Sequence, residues 1–150
     1  MKRTFLIILV ALISLTTYTS AQKGKSRKAV ITKSKTTTIT GSTAVNGKAM
    51  YVKYCLTCHQ ADGGGVPNMN PPLIKTSYVL GNKDKLSKIV LNGFSERVEI
   101  EGEMYNNVMP AFNYLSNQQI ADVLTYVRNN FTNKASAVTA AEVNKVRTGK

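Results

Sequence analysis

A five-residue stretch, Cys-Leu-Thr-Cys-His at 55–59, constrains this chain more than any other feature of the sequence. It contains both cysteines of the 150 residues, Cys55 and Cys58, and the only histidine, His59. Whatever these three side chains bind, the rest of the chain has to fold around it.

The histidine that directly follows the second cysteine separates three interpretations of this stretch. A Cys-x-x-Cys pair alone is typical of a disulfide redox centre. A structural zinc site needs four ligands, and the sequence has no further cysteine or histidine. Cys-x-x-Cys-His instead indicates c-type haem attachment, in which two thiols form thioethers and the histidine binds the iron. We therefore predict one haem c, bound covalently through Cys55 and Cys58, with His59 as an iron ligand.

Methionine is the natural second axial ligand because the chain has no second histidine. Met50 lies on the same predicted helix as His59, roughly 13 Å along its axis, which disfavours it. Met109 lies in a loop, next to Pro110 and just before a long predicted helix, so it fits best. The alternative is a methionine that fills a gap in the core. The other two, Met69 near the His59 side and Met104 on a predicted hairpin, fit less well.

The N-terminal region predicts export. Lys2 and Arg3 precede an apolar run at 5–15, which is shorter than the ~20 residues that span a bilayer as a helix. We predict a signal peptide at 1–21, the alternative being an uncleaved membrane anchor. Residues 22–43 carry six Lys or Arg and no acid, which predicts a basic flexible leader. The protein is expected to be periplasmic or secreted.

The net charge of the chain indicates which kinds of partner it can bind. The net charge is +12, from 20 basic and 8 acidic residues. Such a chain suits acidic partners or peripheral association with an anionic membrane. Nucleic acid is not expected as a partner, because few aromatic residues interleave with the basic ones and export removes the chain from the cytoplasm.

The remaining sequence predicts a mostly α domain at 44–134, followed by a C-terminal extension at 135–150. Asn46 is predicted to cap a helix that runs from Gly47 to Cys58. Capping boxes predict that Ser116 and Thr139 each precede a helix. The predicted helices are 47–58, 84–91, 117–131 and 140–147, with a loop at 61–77 and a small hairpin at 97–105 around Gly102.

From Val45 to about Asn133 the chain resembles class I c-type cytochromes. The residues that carry the resemblance are CLTCH at 55–59, VMP at 108–110 and DVLTYVRN at 122–129. The segment before the methionine resembles short bacterial cytochromes and the cytochrome domains of dehydrogenases. The resemblance implies a small cytochrome c fold, with three to five helices around one covalently bound haem and a short β-hairpin before the axial methionine loop.

The resemblance also implies particular contacts. The Pro71 carbonyl is expected to accept a hydrogen bond from His59 Nδ1, which would orient the imidazole. Met109 is expected to be the second metal ligand. Gly47 and Tyr51 on the predicted helix at 47–58 are expected to pack against Val123 and Tyr126 on the predicted helix at 117–131.

These features predict an electron carrier rather than an enzyme. The expected protein is a monomeric, mono-haem cytochrome that passes single electrons between transient redox protein partners outside the cytoplasm. Partners are expected to dock near Cys55 and Cys58, steered by Lys75, Lys83, Lys85 and Lys88. Two alternatives stay open: a haem c subunit of a dehydrogenase or terminal reductase complex, and an open-site haem protein that binds a gas or peroxide. Further expected haem neighbours are Val66, Leu73, Ile89, Val108 and Phe112, with Arg97, Tyr105 and Asn107 as polar candidates.

Overall fold

The computed structural model describes residues 41–149, and their fold is mostly helical, as predicted. The predicted signal peptide (1–21) and residues 22–40 of the predicted leader lie outside the described residues. The elements are α1 (Gly41–Tyr54), α2 (Leu56–His59), α3 (Ser77–Leu80), α4 (Lys83–Asn92), β1 (Val98–Ile100), β2 (Glu103–Tyr105), α5 (Asn117–Asn129) and α6 (Ala140–Thr148). Within this part of the chain, no helix is long and apolar enough to cross a membrane.

The first helix differs from its prediction at both ends. α1 begins at Gly41, and Asn46, the predicted N-cap, lies exposed inside the helix. The prediction was wrong because the capping preference of asparagine is a weak local bias, which helical continuation through the preceding residues outweighs. α1 also ends at Tyr54, and Cys55 separates it from the single turn of α2.

The helices α1 and α5 cross at a glycine. A Cβ atom on Gly47 would lie 2.3 Å from the Asp122 carbonyl oxygen and 2.7 Å from Tyr126 Cβ. The buried ring of Tyr51 has its centroid 5.5 Å from that of Tyr126 and 5.1 Å from that of Phe131. Glycine thus permits a close backbone approach, and three aromatic rings pack beside it.

Both predicted capping boxes are present. Ser116 Oγ accepts a hydrogen bond from Gln119 N at 3.2 Å, and Gln119 Oε1 accepts one from Ser116 N at 2.9 Å. Thr139 and Glu142 exchange the equivalent bonds at 3.2 Å and 2.7 Å. These contacts start α5 and α6, because they satisfy amide groups that have no partner inside the helix.

The predicted hairpin forms, and one short helix was not predicted. β1 and β2 pair antiparallel, with Val98 opposite Tyr105, and the chain turns at Glu101 and Gly102, which have φ angles of 54° and 84°. The unpredicted helix is α3, which begins where Thr76 Oγ1 accepts a hydrogen bond from Val79 N at 3.3 Å. A four-residue helix is too short to show hydrophobic periodicity in the sequence.

The C-terminal extension packs against the rest of the domain. Val138 and Val143 are buried, and Val138 exchanges two hydrogen bonds with Thr125 Oγ1, at 2.9 Å and 3.0 Å. The guanidinium of buried Arg128 donates to the Ser136 carbonyl at 2.8 Å. The extension is therefore part of the folded unit that α4 and α5 form.

Candidate haem site

One mainly apolar cleft lies among several elements of the fold. Its walls come mainly from α2, the loop at 66–76, α4, the hairpin and the loop before α5. It encloses about 1350 Å³ of space, its open mouth included. All the candidate site residues line it: Cys55, Cys58, His59, Pro71 and Met109.

The two cysteines lie one helical turn apart on the wall of this cleft. Cys58 N donates to the Cys55 carbonyl at 3.2 Å, so the turn is closed. Cys55 is half-buried and Cys58 is exposed, and the two do not form a disulfide. Burial raises the pKa of the Cys55 thiol to about 11, and the neighbouring Cys58 adds to the rise. Among the described residues no group of three or more His, Cys, Asp or Glu side chains could hold a metal ion.

His59 follows the second cysteine and is buried. Its Nδ1 lies 2.9 Å from the Pro71 carbonyl oxygen, the contact that the resemblance implied. A carbonyl only accepts hydrogen bonds, so Nδ1 carries a proton, and in the neutral ring this leaves the lone pair on Nε2. Burial lowers the pKa of His59, and the bond to Pro71 opposes that shift. The imidazole is therefore held neutral, in the tautomer and orientation that suit a metal ligand.

Met109 is half-buried on the loop before α5, and its backbone forms two hydrogen bonds with the backbone of Phe94. Met109 N donates to Phe94 O at 2.8 Å, and Phe94 N donates to Met109 O at 3.0 Å. Gly93 lies against this loop with φ at +78°, and a Cβ on it would be 2.6 Å from Met109 O. Three residues on, Phe112 N donates to Val90 O at 2.9 Å. The loop is thus tied to the end of α4.

Of the other described methionines, one lines the cleft and two do not. Met50 also lines the cleft, from α1, the helix that ends next to Cys55. Met69 and Met104 lie outside the lining and are 52% and 37% exposed. Met50 and Met109 are therefore the two thioethers among residues 41–149 that face the cleft.

Most of the expected haem neighbours line the cleft, but two do not. Those that do are Leu73, Ile89, Val108, Phe112, Tyr105 and Asn107. Val66 and Arg97 lie outside the lining, and Val66 instead pairs with Asn70 in a β-bridge. The aromatic residues Tyr54, Tyr78 and Phe94 were missed as lining residues. Only Tyr54 carried a signal in the sequence, since it stands directly before Cys55.

This arrangement defines a class of protein that carries a covalent haem. The donor set fits haem c, because two thiols one turn apart and a neutral imidazole share one apolar cleft with a thioether. The comparison with known proteins agrees: residues 44–131 match the cytochrome c family model. The chain belongs to the cytochrome c family, whose members carry covalently bound haem and transfer electrons.

Two groups of relatives are similar to this chain. The cytochrome c-552 of Thermus thermophilus is 32% identical over 114 residues, which covers 70% of this chain and 86% of that protein. The cytochrome c subunit of an alcohol dehydrogenase (quinone) from Gluconacetobacter polyoxogenes is 37% identical over 123 residues, which covers 71% of this chain and 24% of the subunit. The gluconate 2-dehydrogenase cytochrome c subunit of Pantoea cypripedii is 33% identical, over 25% of its length. The chain thus spans about a quarter of the length of these dehydrogenase subunits.

Proposed function

We propose that this chain is a mono-haem electron carrier in which His59 and Met109 are the two axial ligands of the iron. The observation that carries the proposal is that both side chains line one apolar cleft, with the His59 ring bonded to the Pro71 carbonyl and the Met109 backbone bonded to that of Phe94. When bound, the haem supplies an iron that alternates between Fe(II) and Fe(III).

The protein residues contribute fixed geometry and a dry environment. The bond from His59 to Pro71 holds the imidazole, and the two bonds between Met109 and Phe94 hold the methionine loop. Donors that are held in place need little rearrangement when the charge of the site changes. The apolar lining, with Phe112 buried, excludes water and favours the less charged reduced state.

An aromatic cluster extends from the cleft to the surface. Tyr54 and Phe112 line the cleft with ring centroids 5.9 Å apart. Tyr114, which is 66% exposed, has its centroid 6.2 Å from that of Tyr54 and 6.1 Å from that of Phe112. Lys53 Nζ lies 5.1 Å from the centroid of the Tyr54 ring. The exposed Tyr114 ring and the nearby Lys53 charge suit a binding surface, so we propose that acidic redox proteins dock here transiently.

Not all of the lysines expected to steer partners are free to do so. Lys83 Nζ forms an ion pair with Glu142 Oε1 at 3.0 Å, so its charge is already compensated within the protein. Lys85 Nζ lies 4.2 Å from the centroid of an aromatic ring. Lys75 and Lys88 are exposed and remain the better candidates for long-range steering.

A dehydrogenase subunit is the second candidate function, because several relatives bear that description. The similarity to the cytochrome c-552 of Thermus thermophilus supports the free carrier, which we expect to be a monomer. Purification of the tagged protein from its native cells separates the two. A stoichiometric dehydrogenase in the purified sample would support the subunit, and its absence would support the carrier.

We also propose that the protein acts outside the cytoplasm, as a periplasmic or secreted cytochrome. The support is the predicted signal peptide at 1–21 and the prediction of thioether-bound cysteines, which suit an oxidising compartment. The basic leader at 22–43 suits peripheral association with an anionic membrane surface.

The ligand assignment is tested by the visible spectrum of the oxidised holoprotein. Ferric iron bound to methionine sulfur gives a weak long-wavelength absorption band. We expect this band in the wild-type protein and its loss in Met109→Ala. Met50→Ala is the matched control, because it removes the other thioether that faces the cleft, and we expect it to keep the band. Loss of the band in Met50→Ala with retention in Met109→Ala would refute the assignment. A wild-type protein that lacks the band and binds peroxide readily would favour the open-site alternative.

A further inference from the structure

One exposed arginine of the C-terminal helix holds the segment that follows Met109. The Arg147 guanidinium donates three hydrogen bonds: to Asn113 O at 2.6 Å, to Leu115 O at 2.7 Å and to Asn117 Oδ1 at 2.7 Å. Two of the acceptors are main-chain carbonyls of the connection between the methionine loop and α5. The planar fork of arginine suits this arrangement, since its N–H groups point in fixed directions.

The helix that carries Arg147 is itself firmly anchored. Val143 of α6 is fully buried, and the Thr139–Glu142 capping box starts the helix. At the same end, Lys83 of α4 pairs with Glu142 at 3.0 Å. In the middle of the helix, Asn144 Oδ1 accepts a hydrogen bond from the side-chain amide of Asn117 at 3.0 Å. Arg147 therefore joins the segment to a rigid support rather than to a loose tail.

The segment between Met109 and α5 is held at several points. At its start, the backbone of Met109 forms hydrogen bonds with that of Phe94, and further on Phe112 N donates a hydrogen bond to Val90 O. Leu115 is buried and lines the cleft, and its carbonyl is one of the Arg147 acceptors. A departure of the methionine sulfur that carries its loop with it would shift the chain between these points, and such a shift would strain or break the Arg147 contacts.

We propose that Arg147 is a positioning residue for Met109: it disfavours the open form of the protein in which the sulfur has left the iron. This inference rests on the proposed ligation by Met109. The residue lies beyond the part of the chain that matches the family model, which ends at 131. The C-terminal extension thus acts on the iron site without touching it.

The test measures how often the iron site opens. An external ligand such as imidazole binds ferric iron only when the sulfur has left, so its apparent affinity scales with the open fraction. Loss of charge-assisted hydrogen bonds weakens the closed form. We expect Arg147→Ala to bind imidazole about tenfold more tightly than wild type, equivalent to about 1.4 kcal/mol. Arg147→Lys keeps the charge but not the fork, so we expect an intermediate affinity.

Two controls separate positioning from general effects. Lys145→Ala removes another exposed cation of α6, for which no contact with the segment exists in the structure. Asn82→Ala removes the N-cap of α4 and destabilises the fold at a distance from the segment. Both should bind imidazole within twofold of wild type. The long-wavelength band should persist in Arg147→Ala without imidazole, because the closed form still dominates.

The outcomes distinguish this inference from the proposed ligation. An imidazole affinity of Arg147→Ala within twofold of wild type, with the band present, would overturn the role of Arg147 and leave Met109 as the ligand. A tighter affinity in Asn82→Ala equal to that in Arg147→Ala would also overturn it, since general destabilisation would then explain the effect. Absence of the band from wild type would instead refute the ligation by Met109.

Discussion

The crossing of α1 and α5 makes a quantitative prediction for Gly47→Ala. The new Cβ would lie 2.3 Å from the Asp122 carbonyl oxygen and 2.7 Å from Tyr126 Cβ. Ordinary contacts need roughly 3.5 Å, so the two helices must separate by about 1 Å. Overpacking of this kind costs about 1–3 kcal/mol, and the upper end applies because the first obstacle is backbone. Alanine regains about 1 kcal/mol of helix propensity, which leaves a net loss of about 2 kcal/mol.

This loss can be measured by urea unfolding of the holoprotein, followed by circular dichroism. We expect a lower midpoint with an unchanged m-value, and a melting temperature lower by about 10 °C for a domain of this size. Ala49→Gly is the matched control, because Ala49 is exposed on the same helix and reports propensity alone, at about 1 kcal/mol. A Gly47→Ala protein that is as stable as wild type, or more stable, would refute the close crossing.

Two further predictions concern the α4 side of the domain. Ser87 Oγ is buried and has no hydrogen-bond partner among residues 41–149, so Ser87→Ala should stabilise the protein by about 1 kcal/mol in the same urea assay. A loss of stability would show that the hydroxyl has a partner. Burial alone would raise the pKa of Glu142, but hydrogen bonds from Thr139 and Lys83 outweigh it and lower that pKa below its ordinary value. The ionised carboxylate therefore stabilises the fold fully at pH values above the ordinary glutamate pKa of about 4.3. This stabilisation is lost as the pH falls through the lower pKa of the folded state. The stability difference between wild type and Glu142→Gln should shrink across that window, and a difference that stays constant from about pH 7 to about pH 3 would contradict this reasoning.

The parts of the fold that depend on local sequence were predictable. A capping box lies within four residues, so Ser116 and Thr139 identify the starts of α5 and α6 from the sequence alone. The haem attachment motif is equally local, because one cofactor uses side chains within five positions. The turn at Gly102 follows from the backbone freedom that a positive φ requires.

The parts that depend on distant contacts were not predictable from local patterns. Asn46 has the residue type of a cap, but packing of α1 against α5 keeps it inside a helix, and no neighbour in sequence reports that packing. The pairing of Lys83 with Glu142 joins residues 59 positions apart. Arg147 and its acceptors are 30 to 34 positions apart. Exposed charged residues carry no periodicity that would reveal such partners.

The direct contact between α1 and α5 also explains how a segment of this kind can occur both in small proteins and within longer chains. The Tyr51 ring packs against the Tyr126 ring, with centroids 5.5 Å apart, so the first and last helices of the family-matched segment at 44–131 lie against each other. The family-matched segment begins in one of these two helices and ends just after the other, and most of the residues that line the cleft lie between them in the sequence. Additional chain can therefore be joined at either end without crossing the site. A unit with such ends can stand as a small protein or recur within a longer one, in keeping with similar segments that make up 86% of one relative and 24% of another.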